Sequence, residues 1–333
     1  MAVNGAFVTL ITKDEYLPGA LVVHAGMVKV KSKYPFVALV TPTLSEDARG
    51  VLERRGVLVH EVSSLIPPDG TKPSDHDARF ADTWTKLRAF ELEEYKRVVM
   101  LDSDMLVRRN IDDLMELKDL PDDWIAAAHA CTCNPRGLKH YPADWIPQNC
   151  AYTPLLRSET TMVPEPSAIE PSSPRTYALL NSGLVVLTPS AVRAKEIEDF
   201  IRTSELVPNF KFPDQDLLAE VFRGKWKPLP WTYNGLKTLR NIHEGLWHDD
   251  EVRLVHYILH DKPWLARIEK GEEKEAKTAE MGDAKDMDDY TELHWWWWQA
   301  LDALVADLKE SDPLGYNMVT TRLEHLSRKR AKN

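Results

Sequence analysis

Val98-Val99-Met100-Leu101 runs straight into Asp102-Ser103-Asp104, and apolar residues resume at Met105-Leu106-Val107. Two carboxylates one residue apart at a strand end point the same way. There they can grip a hard cation such as Mg²⁺ or Mn²⁺. The same pair also fits a turn with two solvated acids. Two more stretches carry suitable polar groups. Asn181-Ser182-Gly183 interrupts an apolar run from Tyr177 to Leu187, and a glycine inside a strand marks a bulge or a close backbone approach. Asp214-Gln215-Asp216 follows Pro213. Asp214 and Gln215 therefore open a helix, where they either reach a ligand or cap the helix.

A frame is needed that brings such strand ends and helix starts to one edge. Ala6–Ile11, Phe36–Val40 and Val57–Val62 read as strands. Between them lie an apolar helix, Ala20–Val30, and a second helix N-capped by Ser45. This βαβαβ opening implies an α/β fold with a mainly parallel central sheet flanked by helices. No Gly-x-Gly-x-x-Gly follows the first strand, which argues against a dinucleotide site. Leu65–Asp82 reads as a Pro/Asp-rich loop, either a lid or plain surface. Helices are expected over Trp84–Leu92 and Arg108–Leu117, and strands over Ile125–Ala128 and Val252–Ile258. Residues 131–176 hold eight of the 22 prolines and read as an irregular insertion. Residues 1–265 then form the main domain. Residues 266–333 form a charged, Trp-containing helical extension packed on it, with at least one of Trp295–Trp298 exposed or in an interface.

With 333 residues, 43% apolar and 28% charged, the chain can bury a large core. A net charge of -10 argues against a nucleic-acid partner. Cys131, Cys133 and Cys150 are the only cysteines. An odd, small number points to a reducing compartment. Cys131-x-Cys133 lacks zinc-knuckle spacing and reads as buried thiols. No leader precedes the first strand and no apolar run is long enough for a membrane span, so a cytoplasmic protein is expected. A homodimer is compatible with the sequence.

Several segments, in order, resemble glycosyltransferase family 8, to which glycogenin and galactinol synthase belong. They are Thr9–Val22, Thr85-Lys86-Leu87, Leu101–Asp104 with Asn110–Leu114, Asn181-Ser182-Gly183, Asp214-Gln215-Asp216, and Val255-His256-Tyr257 with Lys262-Pro263-Trp264. The resemblance spans roughly residues 6–265. The cysteine-bearing insertion and the tryptophan cluster look most like galactinol synthase. It implies a GT-A (Rossmann-like) nucleotide-diphospho-sugar transferase fold. It also implies UDP-galactose or UDP-glucose as donor, Mn²⁺ (Mg²⁺ as the alternative), a small hydroxyl acceptor and retention of configuration. By the same resemblance, Asp102, Asp104 and His256 are the metal ligands, and Leu10, Thr12 and Tyr16 form the uridine pocket. Lys262 reaches the diphosphate, and Lys86 and Arg79 are basic residues near the donor. Asn181, Ser182, Asp214 and Gln215 hold the donor sugar, with Ser103 and Gly183 in the same motifs. This chain carries Leu259 where the family often has glycine, and Lys211 where glycogenin has an acid.

Retention needs a covalent intermediate on an opposite-face carboxylate or front-face attack beside the leaving phosphate. Asp214 is the candidate nucleophile, with Gln215 as its neighbour, and front-face attack is the favoured expectation. The acceptor suggested by the galactinol synthase likeness is a polyol such as myo-inositol. Competing readings are a self-glucosylating glycogenin-like primer, a haloacid dehalogenase-type phosphatase using Asp249-Asp250 as its second acidic pair, and an inactive nucleotide-sugar-binding protein.

Overall fold

The computed structural model describes residues 4–67, 78–139, 141–156, 163–272 and 289–330, without the side chains of 78–81 and 327–330. Its centre is a seven-stranded sheet. In chain order the strands are β1 (Gly5–Ile11), β2 (Phe36–Val40), β3 (Leu58–Glu61), β4 (Arg97–Leu101), β6 (Ile125–His129), β7 (Leu180–Leu187) and β8 (Trp226–Pro228). Their spatial order is β3-β2-β1-β4-β7-β6-β8. Pairings are parallel except where β7 runs antiparallel between β4 and β6. A smaller sheet, β5-β10-β9, is built from β5 (Met105–Val107), β9 (Gly235–Leu236) and β10 (Leu254–His256).

Near-continuous apolar runs are what a sheet covered on both faces requires. Alternate residues of β1 and β4 supply the two cores. Phe7, Ile11, Val99 and Leu101 face α1 (Leu17–Lys29). Ala6, Val8, Val98 and Met100 face α3 (Ala191–Thr203) and α4 (Pro213–Val221). Ser45 caps α2 (Glu46–Arg54), and Ser190 caps α3, each accepting from a first-turn N–H.

Two expected helices differ. Trp84–Glu91 belongs to a longer 3-10 run, Ala78–Glu91, which ends before Leu92, so the preceding loop is shorter than its composition suggests. Residues 68–77, where most of the expected lid falls, lie outside the described residues. Arg108–Leu117 is an α-helix nowhere along its length. Only Asp112–Glu116 turns, as a 3-10 segment, because Arg108 and Arg109 donate their N–H groups to Arg253 O beyond β5.

Two long helices, α6 (Thr291–Ser311) and α7 (Pro313–Arg330), pack on the main body. Trp297 and Trp298 are buried. Trp295 and Trp296 are only partly buried, and the Arg108 guanidinium lies 3.6 Å from the Trp296 ring centroid. None of the four is thus fully exposed, because a cation covers the ring that the core cannot take. Trp298 Nε1 donates to Pro263 O and Ala266 O at 3.0 and 2.9 Å, and Trp297 packs on Trp264. Arg322 of α7 reaches Asp14, which also accepts from the Ser45 backbone N–H and hydroxyl. The C-terminal helices therefore brace the loops after β1 and β10. Trp297→Ala should cost about 3–5 kcal/mol of stability, against under about 1.5 for Trp295→Ala. Urea midpoints would show the difference, and equal small shifts would contradict the packing described.

Candidate active site

Asp102 and Asp104 occupy the crossing between the two sheets. Asp102 ends the last rung of β4, its N–H donating to Gly183 O at 2.8 Å. Asp104 precedes β5, and its carbonyl accepts from Tyr257 N–H at 2.9 Å. Because β5 pairs with β10, the crossing lies beside His256 at the end of β10. One ligand atom from each of Asp102, Asp104 and His256 lies within 4.8 Å of the others. His256 Nε2 is 3.4 Å from Asp104 Oδ1 and 3.7 Å from Asp102 Oδ2.

The imidazole is oriented from behind. Asn234 Nδ2 donates to Asn181 Oδ1 at 2.8 Å, so the Asn234 carbonyl oxygen faces His256 Nδ1 at 2.9 Å. That oxygen only accepts, so Nδ1 carries a proton and donates to it, which turns Nε2 to the carboxylates. Two carboxylates and an imidazole form a donor set that suits a divalent cation such as Mn²⁺. Asn234 escaped sequence reasoning, since no motif or spacing links it to His256.

Lys86 is buried beneath this cluster. Its ammonium lies 3.1 Å from Asp102 Oδ1, 2.5 Å from Asp214 Oδ2 and 3.1 Å from Ser182 O. Burial opposes the charge on Lys86, but Asp102 and Asp214 outweigh it and hold its pKa above the usual lysine value. Burial likewise works against the Asp214 carboxylate, yet Lys86 and Ser182 hold its pKa below the ordinary range. For Asp102, burial and the neighbouring Asp104 prevail over Lys86 and raise the pKa. Asp104 is driven down against its burial by Lys262 and His256. Lys262 is ion-paired with Asp104 and donates to Tyr257 O at 2.8 Å. A second buried lysine, Lys237, has its pKa pushed down to about 7 by burial and by Lys262 nearby. It donates to Asp261 O and so holds the strand-end loop that carries Lys262.

Helix α4 presents Asp214 and Gln215 while a third residue does the capping. Asp216 accepts from the backbone N–H groups of Lys211 and Phe212 at 2.7 and 2.9 Å, reaching back over the helix start. Gln215 Oε1 accepts from Asn181 Nδ2 at 3.4 Å.

One cavity of about 760 Å³ is lined by Leu10, Thr12, Tyr16, Lys86, Asp102, Ser103, Asp104, Asn181, Ser182, Gly183, Asp214, Gln215, His256 and Lys262. The sequence-predicted residues thus share one pocket, except Arg79, whose side chain lies outside the described residues. Tyr16 is held edge-on against Trp264, ring centroids 5.8 Å apart. Leu259 also lines the pocket and takes φ +74°, the left-handed region that favours the glycine often found there in the resembling family. Asp249 is paired with Arg240 at 3.0 Å and neither it nor Asp250 lines the pocket, so that pair cannot serve as a second catalytic acid cluster.

The chain matches Glycosyl transferase family 8 over residues 7–267. It belongs to that family. It is 30% identical over 261 residues to galactinol synthase 1 of Solanum lycopersicum, covering 78% of this chain and 73% of that one. Galactinol synthase 4 of Arabidopsis thaliana is 29% identical over 319 residues, covering 95% and 87%. Among solved structures, the galactosyltransferase LgtC in complex with donor and acceptor sugar analogues superposes with a TM-score of 0.54 at 16% identity, covering 90% of this chain and 95% of that one. The glycosyltransferase GlyE of Streptococcus pneumoniae TIGR4 gives 0.53 at 15% identity, and this chain spans 64% of it. The fold is GT-A. Among the described residues no helix is long and apolar enough to cross a membrane.

Two glycines allow the close approaches the site needs. A Cβ on Gly183 would fall 2.2 Å from His256 Cε1, and one on Gly19 would fall 2.4 Å from Ser103 O. If Asp102, Asp104 and His256 hold a divalent cation, Gly183→Ala should push the imidazole off its axis and weaken Mn²⁺ binding at least about tenfold. Calorimetric titration of Mn²⁺ with UDP present checks this, and unchanged affinity would refute the assigned geometry.

Proposed function

We propose that the protein is a retaining hexosyltransferase that moves galactose from UDP-galactose to a hydroxyl of a polyol such as myo-inositol. One observation carries the reading. Asp102, Asp104 and His256 converge in the same pocket as Lys86, Asp214 and Gln215, in a chain of family 8. Likeness to galactinol synthases over most of both chains supports galactose as the sugar and a polyol as the acceptor.

Asp102, Asp104 and His256 would hold Mn²⁺, and the imidazole favours Mn²⁺ over Mg²⁺. A cation held by these residues would supply Lewis-acid neutralisation of the donor diphosphate. Leu10, Thr12 and Tyr16 receive the uridine, with the Tyr16 ring, held by Trp264, as the surface for uracil. Lys262 turns from Asp104 to the diphosphate and offsets the charge that grows on departing UDP. Asn181, Ser182, Gly183, Lys86, Asp214 and Gln215 surround the sugar.

As the bond to UDP breaks, the anomeric carbon becomes oxocarbenium-like. Asp214 is committed to Lys86 at 2.5 Å. An ion-paired carboxylate of lowered basicity is a weak nucleophile. Its charge instead steadies the developing cation. Attack of the acceptor hydroxyl on the front face, with its proton passing to the leaving phosphate oxygen, then gives retention without a covalent sugar.

UDP release in the presence of Mn²⁺ tests the reading. Release from UDP-galactose should exceed that from UDP-glucose and should rise with added myo-inositol. Release indifferent to myo-inositol would overturn the acceptor assignment. No release together with no UDP binding would overturn the whole function.

A further inference from the structure

The mechanism leaves one convergent cluster unused. Cys131 and Cys133 follow β6, Cys150 lies midway along the proline-rich insertion, and His243 ends the short helix α5 (Leu239–Ile242). No disulfide joins the three cysteines, and all but Cys131 among the four residues are buried. The three Sγ atoms lie 3.7, 3.2 and 3.6 Å from His243 Nε2, and the four ligand atoms all fall within 4.8 Å of one another.

Three thiols round one ring nitrogen make a poor hydrogen-bond arrangement. An imidazole nitrogen has a single donor or acceptor site, so at most one thiol is served. The arrangement suits a tetrahedral ion. Zinc bonds of about 2.3 Å to sulfur and 2.0–2.1 Å to nitrogen put each sulfur about 3.6 Å from the nitrogen. Thiolates and an imidazole select zinc, whereas the oxygen-rich pair of Asp102 and Asp104 selects a harder ion. Four protein ligands leave no open position, which marks a structural site.

We propose that Cys131, Cys133, Cys150 and His243 bind a structural Zn²⁺ that pins the first half of the insertion to the 239–243 turn. The expectation of merely buried thiols rested on the Cys131-x-Cys133 spacing. The thiols are indeed free and Cys133 and Cys150 buried, but the spacing gives no sign of the cluster, whose other two members come from distant segments. The clamp also has a consequence for the pocket. Cys131 and Asn134 line it from the insertion, and Thr238 and Ile242 line it from the other side of the clamp. Zinc therefore holds together two segments of the pocket wall while remaining outside the chemistry. The proposal stands whether or not the sugar-transfer reading holds.

Elemental analysis of the full chain, purified without chelator, tests it. About one zinc per chain should be found. It should persist in the Asp102→Asn/Asp104→Asn double variant and fall in Cys150→Ser. Because Cys150 is buried and its substitution can disturb folding, Co²⁺ exchange into the wild-type chain supplies a second readout. A thiolate-to-cobalt charge-transfer band should appear. The proposal is overturned by zinc below about a tenth of an atom per chain with all three thiols reduced and no cobalt band. It is equally overturned by zinc that leaves with Asp102 and Asp104.

Discussion

Three carboxylates, Asp102, Asp104 and Asp214, meet at the floor of one pocket, two of them buried. Removing each from water costs several kcal/mol unless cations meet it. Lys86 spans Asp102 and Asp214, and Lys262 meets Asp104. The three carboxylates and the two ammonium groups sum to one negative charge. A divalent cation is complementary to such a floor. Much of the surrounding structure acts to keep these groups at that spacing.

The fold reaches this spacing through the change of sheet after β4. The large sheet delivers Asp102, the small sheet receives Asp104, and β10 brings His256 alongside. Glycines at 183 and 19 let β7 and α1 come within reach. Asn234 then sets the imidazole, while Trp264, clasped by Trp297 and Trp298, sets Tyr16 and the loop bearing Lys262. The C-terminal helices thus support the site without contributing to the Asp102–Asp104–His256 cluster.

Much of this was readable from sequence because it is local. An apolar strand ending in Asp-x-Asp, the Asn-Ser-Gly interruption and the Asp-Gln-Asp after proline each announce themselves within a few residues. Helix type was less legible. Ala78–Glu91 and Arg108–Leu117 have apolar residues at spacings that suit a helix, but tertiary hydrogen bonds decide their backbone. Asn234 and His243 were illegible for a different reason. Their partners lie 22 and 93–112 residues away, and only the assembled sheets and insertion bring them together. Asp216 shows the same limit in miniature, since its carboxylate takes the capping role that spacing equally offered to Asp214 and Gln215.

The most direct test is Mn²⁺ affinity, measured with UDP present, in the wild type, His256→Ala and Asn234→Ala. If the cluster is the metal site, His256→Ala should abolish tight binding. Asn234→Ala, which touches no metal, should weaken binding by about 10–100-fold by freeing the imidazole to take the wrong tautomer. Wild-type affinity in both variants would contradict the account.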